Sequence, residues 1–285
     1  MKQTLSIPSD AISVYNNALI LSNRGLFQNA LDEYRKAITI FPKFLEAYNN
    51  IGEIYSKLGD TDKAITTYLQ ALSIERNYKV LLNLGVEYYN DGKYKAALTH
   101  FKESVTKKDD FLEGLFYAGM AFFNLKEYKD AEYYFVKVLD IDLYHVRVNY
   151  LLSYIYYEWK NYNQALVCLE RILNISDDKV FVHKYYGFCL FHLGRYDDAV
   201  KYLTTALQSS PQYEKFKGYL MSLTVENKMK EIGDVKKKIH EMEQIMMSNI
   251  QPSLGEYTKL SMLYIFNGEY NKAEEILVGY KKSIA

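Results

Sequence analysis

The chain has 285 residues, of which 49% are hydrophobic, 25% are charged and 4 are proline. This composition is typical of a compact globular protein, and it excludes intrinsic disorder and collagen-like structure. The 35 basic residues are balanced by 35 acidic ones, so no net charge attracts nucleic acid or anionic lipid. We therefore expect no nucleic acid among the partners and no insertion into a membrane.

Residues 1–10 come first in chain order and are expected to form a short N-terminal tail. The tail has one lysine and no apolar run, which predicts neither a signal peptide nor a membrane span. The two cysteines, Cys168 and Cys189, fit neither a zinc motif nor a disulfide framework. These features favour a reducing, cytoplasmic location.

From residue 11 onwards the sequence repeats itself with a period of about 34 residues. Each regular period has an alanine followed four positions later by a large apolar or aromatic residue, which is helical spacing. These alanines are Ala30, Ala64, Ala97, Ala131, Ala165, Ala199 and Ala273. A second small residue earlier in the period, such as Gly52 or Gly119, predicts another helix in close contact. Each period is therefore predicted to fold as helix, turn, helix.

This pattern resembles the tetratricopeptide repeat, whose 34 positions favour small residues at 8, 20 and 27 and aromatic residues near 11, 17 and 24. The resemblance implies an all-α superhelix, or solenoid, of about seven to eight helix-turn-helix repeats. With Ala11 as position 1, we expect six regular repeats at 11–44, 45–77, 78–111, 112–145, 146–179 and 180–213. A divergent stretch at 214–253 and a final repeat at 254–285 complete the expected organisation.

The repeats make two local predictions, one about the turn between the helices and one about the contact between them. Turn glycines such as Gly92 allow a positive φ at the end of a helix, but Lys126 and Lys160 occupy that position in the fourth and fifth repeats. In the fourth repeat we expect Gly119 and Ala131 to be buried against each other, because small residues let two helices approach closely.

The 29 tyrosines and 14 phenylalanines exceed the number that the repeat positions absorb. Positions 5, 9 and 12 of each first helix form a stripe that the resemblance places in the concave groove. The stripe is polar in repeat two, with Asn49 and Glu53, and mostly aromatic in repeats three to six. The peptide-binding residues predicted there are Tyr89, Phe116, Phe123, Tyr150, Tyr154, Tyr157, Lys184, Phe188 and Phe191. We expect this stripe to bind a peptide or helix of another protein; alternatively, the rings pack between neighbouring helices.

Position 6 is asparagine in the first three repeats, at Asn16, Asn50 and Asn83. A side-chain amide both donates and accepts hydrogen bonds, so a row of them can hold an extended peptide backbone. The row resembles the asparagine ladder of the O-GlcNAc transferases, and we expect its amides to be exposed on one concave face. The carboxylate clamp of chaperone-binding relatives is only partly matched, and its next register contains Glu53 and Glu113, which would repel a carboxylate.

Residues 214–253 are rich in methionine, and a helix is predicted within them at 234–249. Its apolar stripe consists of Val235, Ile239, Met242 and Met246. We expect this stripe to pack on the last repeat; alternatively, residues 214–253 provide a self-association face.

The sequence contains no catalytic or phosphate-binding motif, and its five histidines lie in different repeats or on different helix faces. We predict a non-enzymatic scaffold or adaptor, without a cofactor or metal, that binds a partner protein's peptide or helix in its concave groove. The alternative is a carrier or accessory protein that holds a small hydrophobic ligand in the aromatic groove. RNA binding by base stacking is a weaker alternative, since the usual accompanying Lys and Arg are missing.

Overall fold

The computed structural model describes residues 6–195, 234–249 and 252–283, together with 198–199, 201–202 and 205–206. Within these residues the chain forms fourteen α-helices and no strand. It divides into two compact units, unit 1 at Met1–Asp142 and unit 2 at Leu143–Ala285. Residues 1–5 of the predicted tail, part of the repeat at 180–213, most of the divergent stretch at 214–253 and the end of the final repeat lie outside the described residues.

Unit 1 consists of four pairs of helices. They are α1 Ser9–Asn23, α2 Phe27–Ile40, α3 Leu45–Lys57, α4 Thr61–Ile74, α5 Tyr78–Asn90, α6 Tyr94–Lys107, α7 Leu112–Asn124 and α8 Tyr128–Ile141. Each helix packs against the next one in the chain, and contacts also join α3 to α5 and α5 to α7. The first helices of successive pairs therefore lie side by side along one face of unit 1.

Unit 2 contains six described helices. They are α9 Val146–Glu158, α10 Tyr162–Ile172, α11 Lys179–His192, α12 Val235–Ser248, α13 Leu254–Phe266 and α14 Tyr270–Ser283. Helix α10 packs against α9 and α11, and α13 packs against α12 and α14. One core cluster joins the two groups, because Phe188 of α11 packs with Val235 of α12, Leu260 of α13 and Leu277 of α14.

Tight turns follow the first helix of each pair. The turn glycines, which adopt φ between 73° and 80°, are Gly25, Gly59, Gly92, Gly194 and Gly268. Lys126 and Lys160 take the same place with φ of 61° and 59°. Any residue with a Cβ atom is disfavoured in this left-handed region by about 1–2 kcal/mol. The two lysines that replace the turn glycine in the sequence are therefore strained.

Glycine faces an aromatic ring in three helix pairs of unit 1. The pairs are Gly52 with Tyr68, Gly85 with Phe101, and Gly119 with Phe135. A Cβ atom at Gly119 would lie 2.6 Å from the buried ring of Phe135, whereas packed carbon atoms prefer about 3.5–4.0 Å. The ring therefore fits only because the opposite helix has no side chain at this point.

Gly119 and Ala131 are both buried, as the sequence predicts. The atoms nearest to a Cβ at Gly119 belong to Phe135, however, which follows Ala131 by one helical turn. The glycine thus accommodates Phe135 of the second helix, a contact that the spacing of the small residues does not predict.

Replacing Gly119 with alanine should lower the free energy of unfolding by about 1–3 kcal/mol, because the new methyl group displaces the Phe135 ring. Gly279 of α14 is the matched control, since a Cβ atom there meets nothing within 4 Å. Gly279→Ala should raise stability by up to about 1 kcal/mol through helix propensity. Denaturant unfolding of both variants measures the difference, and equal effects would contradict the packing described.

Replacing Lys126 with glycine should stabilise unit 1 by up to about 1 kcal/mol. Relief of the left-handed strain outweighs the extra freedom that glycine gives the unfolded chain, which costs about 0.4–1 kcal/mol. The reverse change, Gly92→Ala at φ 73°, should destabilise. Thermal melts test the pair, and a lower midpoint for Lys126→Gly would contradict the strain.

Candidate functional site

A cleft of about 400 Å³ lies along helices α1, α3 and α5 of unit 1. It is lined by Tyr15, Leu45, Glu46, Asn49, Asn50, Glu53, Asn77, Tyr78, Lys79 and Val80. The Asn77 side chain accepts a hydrogen bond from the Lys79 backbone N–H at 2.9 Å, which caps α5. This cap fixes the first turn of α5 at the wall of the cleft. We call this cleft the unit 1 cleft.

Asn50 joins three helices at the cleft. Its Nδ2 donates to the Tyr15 hydroxyl at 3.0 Å and to the Tyr34 hydroxyl at 3.1 Å. Burial raises the pKa of Tyr15, and it raises the pKa of Tyr34 to about 12. Both tyrosines are therefore neutral at physiological pH, and both N–H groups of the Asn50 amide are used inside the protein.

A second network, which we call the Glu53 network, consists of Glu53, Asn49 and Asn83. Glu53 Oε1 accepts from Asn49 Nδ2 at 2.7 Å and from Asn83 Nδ2 at 3.2 Å, and Asn83 Nδ2 also approaches Asn49 Oδ1 at 2.9 Å. An ionised carboxylate can only accept hydrogen bonds, so both amides must turn their NH₂ groups towards it. The two asparagines therefore hold the Glu53 side chain in one orientation.

The three asparagines predicted as a ladder occupy different environments. Asn16 is exposed on α1 and does not line the cleft, whereas Asn50 lines it and is half-buried. Asn83 is also half-buried and reaches the cleft residues through the Glu53 network. None is fully buried, but the predicted open amides are, for Asn50 and Asn83, engaged within the protein.

Sequence reasoning did not select several residues of the cleft. Asn49 and Glu53 lie at positions 5 and 9 of the second repeat, on the same stripe that supplied the aromatic candidates. The stripe was thus a usable signal, but in the first two repeats only the asparagines at position 6 were predicted to bind. Tyr15 occupies position 5 of the first repeat and was omitted from the predicted site as well.

The predicted aromatic residues of unit 1, Tyr89, Phe116 and Phe123, are half-buried. Each contacts another ring edge to face: Tyr89 with Tyr117 at 6.0 Å, Phe116 with Tyr117 at 5.4 Å, and Phe123 with Tyr128 at 5.4 Å between centroids. The Tyr89 hydroxyl accepts from Asn124 Nδ2 at 2.6 Å. These rings therefore combine packing inside unit 1 with a partly accessible surface.

The predicted tyrosines of unit 2, Tyr150, Tyr154 and Tyr157, are half-buried on α9. Tyr150 stacks on Phe181 of α11 with centroids 3.7 Å apart. Tyr157 meets Tyr185 edge to face at 5.2 Å, and burial raises its pKa. Contacts between helices thus use much of the surface of these rings.

Lys184 and Phe188 do not face an open groove, because they are only 4% and 6% exposed. The Lys184 Nζ lies over the rings of Phe181 and Tyr185, at 5.7 and 4.8 Å from their centroids. Burial lowers the pKa of Lys184 to about 8. The expectation of a solvent-facing stripe is therefore corrected at these two positions.

The Met-rich helix α12 accounts for the burial of Phe188. Val235 and Ile239 of its predicted apolar stripe are buried in the core cluster with Phe188, and Met242 and Met246 pack against that cluster. Leu260 and Leu277 of the final helix pair belong to the same cluster. The stripe packs on the final pair, as the sequence predicts, and in addition it covers the aromatic face of α11.

An apolar cleft of about 400 Å³ remains beside this cluster in unit 2. Its lining consists of Phe191, Lys238, Glu241, Met242, Ile245, Lys259, Met262 and Leu263. Phe191, the last residue of the predicted stripe, is half-buried at its edge. Three of the lining residues, Lys238, Glu241 and Lys259, are charged, and the others are apolar.

The described residues contain no group of three or more His, Cys, Asp or Glu side chains arranged to hold a metal ion. Cys168 and Cys189 are buried and form no disulfide, and burial raises the pKa of Cys168 to about 11. A thiol with a raised pKa is a poor nucleophile. None of the helices in the described ranges has both the length and the apolar character needed to cross a membrane.

Several family models match the sequence. Models of the tetratricopeptide repeat match residues 45–78, 82–142, 146–179 and 180–213, and a model described as TPR repeat matches 19–59. No curated protein matches the chain.

Solved structures with the same fold include YrrB, described as a TPR protein with an unusual peptide-binding site. It is 25% identical, the match covers 60% of this chain and 89% of that chain, and the TM-score is 0.52. Pseudomonas aeruginosa pilF is 20% identical over 73% of this chain and 97% of that chain, with a TM-score of 0.61. A tetratricopeptide repeat protein from Parabacteroides merdae is 16% identical over 95% and 100%, with a TM-score of 0.55. These similarities confirm the predicted all-α solenoid fold class.

The buried Lys184 should make stability depend on pH. Between about pH 8 and pH 10 the folded chain loses the Lys184 proton while the unfolded chain keeps it, so the free energy of unfolding rises with pH. Lys184→Met should remove this rise and stabilise the protein at pH 7 by at most roughly 3 kcal/mol. Denaturant unfolding from pH 7 to 9.5 tests this, with exposed Lys179→Met as the control. An unchanged pH profile in Lys184→Met would contradict it.

Proposed function

The chain belongs to the tetratricopeptide repeat family, and on this basis we propose that it is a non-enzymatic interaction scaffold that binds an extended segment of a partner protein in the unit 1 cleft. Repeats of this family generally serve as protein-interaction modules without catalytic activity. The cleft offers polar groups from three successive helix pairs, which suits a backbone that runs across them.

One observation carries the proposal: fixed polar groups at the floor of the unit 1 cleft extend from α1 to α5. Tyr15 contacts Asn50, and the Glu53 network joins α3 to α5. Groups held in place before binding lose little additional freedom when a ligand arrives. YrrB, at 25% identity, is described as having a peptide-binding site, and this supports the same use of the fold here.

The remaining predicted residues take secondary roles in the proposal. Tyr89, Phe116 and Phe123 provide partly accessible apolar surface on α5 and α7 for the continuation of the bound segment. Tyr150, Tyr154, Tyr157 and Phe191 offer a similar surface in unit 2, whereas Lys184 and Phe188 are buried and contribute packing. Asn16 provides an exposed amide on α1. We propose a reducing, cytoplasmic location because the two cysteines form no disulfide.

A small hydrophobic ligand is the second candidate, favoured by the apolar cleft of unit 2 at Phe191, Met242 and Met262. Such a ligand would not depend on the unit 1 cleft.

Self-association through residues 214–253 would use the exposed residues of α12. Ile245 and Met247 are 45% and 86% exposed there.

Selection from a library of random, capped decapeptides should yield peptides that bind the full-length chain. Asn50→Ala should weaken the selected peptides at least about tenfold, because it removes the amide and releases Tyr15. Asn29→Ala is the matched control, since Asn29 is exposed on α2 and does not line the cleft. Fluorescence anisotropy measures the affinities.

Two outcomes would contradict the proposal. One is a selection that yields no binding peptide, and the other is a set of peptides that bind Asn50→Ala and the wild type equally. An apolar ligand that binds both proteins equally would support the second candidate.

A further inference from the structure

In the unit 1 cleft, side-chain hydrogen-bond donors are used inside the protein more than acceptors are. The Asn50 amide donates to two tyrosine hydroxyls, and the amides of Asn49 and Asn83 both donate to Glu53 Oε1. These three side-chain amides therefore donate to groups inside the protein. A bound ligand therefore meets mainly the oxygen atoms of these residues.

The amide and carboxylate oxygens that face the ligand are hydrogen-bond acceptors. No described residue donates to Oδ1 of Asn50, to the second carboxylate oxygen of Glu53 or to the carboxylate of Glu46, and all three residues line the cleft. A ligand that satisfies these acceptors must therefore supply donors, while Asn77 and Lys79, which also line the cleft, can donate to a ligand acceptor. A peptide backbone supplies one N–H per residue, whereas an arginine side chain supplies five in a planar fork.

The charge of the lining points the same way. Glu46 and Glu53 contribute two carboxylates, and Lys79 contributes the single ammonium group. Glu53 is half-buried, so water screens its charge less than it screens an exposed carboxylate. A cationic group is thus favoured over a neutral donor, and a ligand carboxylate is disfavoured.

Aromatic walls complete the match. Tyr15 and Tyr78 line the cleft, and each is held by another ring: Tyr15 stacks on Phe44 at 4.7 Å, and Tyr78 meets Phe111 edge to face at 4.8 Å. A guanidinium group stacks on aromatic faces while it donates in its own plane. The cleft therefore has aromatic rings beside its carboxylates, and Lys108 Nζ, 5.3 Å from the Tyr78 centroid, shows that one of these rings already attracts a cation.

We propose that the segment bound in the unit 1 cleft carries a basic side chain, arginine above all, whose cationic group pairs with Glu53 and Glu46. The inference rests on the proposed function and adds the chemical class of the ligand. Glu53 is the principal anchor, because Asn49 and Asn83 hold its carboxylate in one orientation. Lys79 opposes the ligand charge and limits its affinity.

The test uses the decapeptides selected on the full-length chain. Arginine or lysine should be enriched in them, and replacing the key arginine with citrulline, which has the same shape but no charge, should weaken binding at least about tenfold. In Glu53→Gln, which keeps the oxygen that accepts from both asparagines, this difference should fall below about threefold. Lys79→Gln should strengthen the arginine peptide about two- to threefold. Circular dichroism confirms folding, and Glu46→Gln, at an exposed position, provides a second variant.

The outcomes separate the two proposals. Peptides that need Asn50 but show no preference for a basic residue, or whose arginine-to-citrulline difference is unchanged in both Glu53→Gln and Glu46→Gln, overturn the inference and leave peptide binding standing. A selection without binding peptides, or with peptides indifferent to Asn50→Ala, overturns both. The citrulline comparison needs no protein variant, so the inference is tested even if Glu53→Gln fails to fold.

Discussion

The contact between a residue without a side chain and a large ring determines how three of the four helix pairs of unit 1 are built. Gly119 leaves room for Phe135, and the same arrangement recurs at Gly52 and Gly85. Where the small residue is serine, its hydroxyl donates to a backbone carbonyl: Ser153 to Tyr150 of its own helix at 2.7 Å, and Ser261 to Ala273 of the paired helix at 3.2 Å. The close approach of two helices fixes the faces that each pair presents to the next.

Interactions that stay within one period were predictable from the sequence. The helices and turns depend on contacts among about 34 neighbouring residues, and the structure has them where the glycines, alanines and rings recur. The hydrogen bond from Asn83 to Asn49, 34 residues apart, was also within reach, because equal positions of successive repeats are neighbours. The hydrogen bond from Asn50 to Tyr34 was not, since Tyr34 belongs to the second helix of the preceding pair and no rule of spacing connects the two.

The burial of Phe188 depends on a contact outside the period. Its partners Val235 and Ile239 follow a stretch in which the repeat pattern is lost, so the sequence shows an aromatic face on α11 and an apolar face on α12 without showing that they meet. The composition of a helix face does not show whether the face is open to solvent or covered by another segment. Lys184 is a further example, because a single charged residue in a stripe is typical of an exposed surface, yet this one is buried.

The Glu53 network has a consequence for the kinetics of association. A free glutamate side chain samples many rotamers, and restricting it costs up to about 2 kcal/mol of conformational entropy. Asn49 and Asn83 impose that restriction when the chain folds, so the loss falls on folding rather than on the encounter with a ligand. Ligands that fit the orientation of this carboxylate should then differ from one another in residence time more than in the rate at which they arrive.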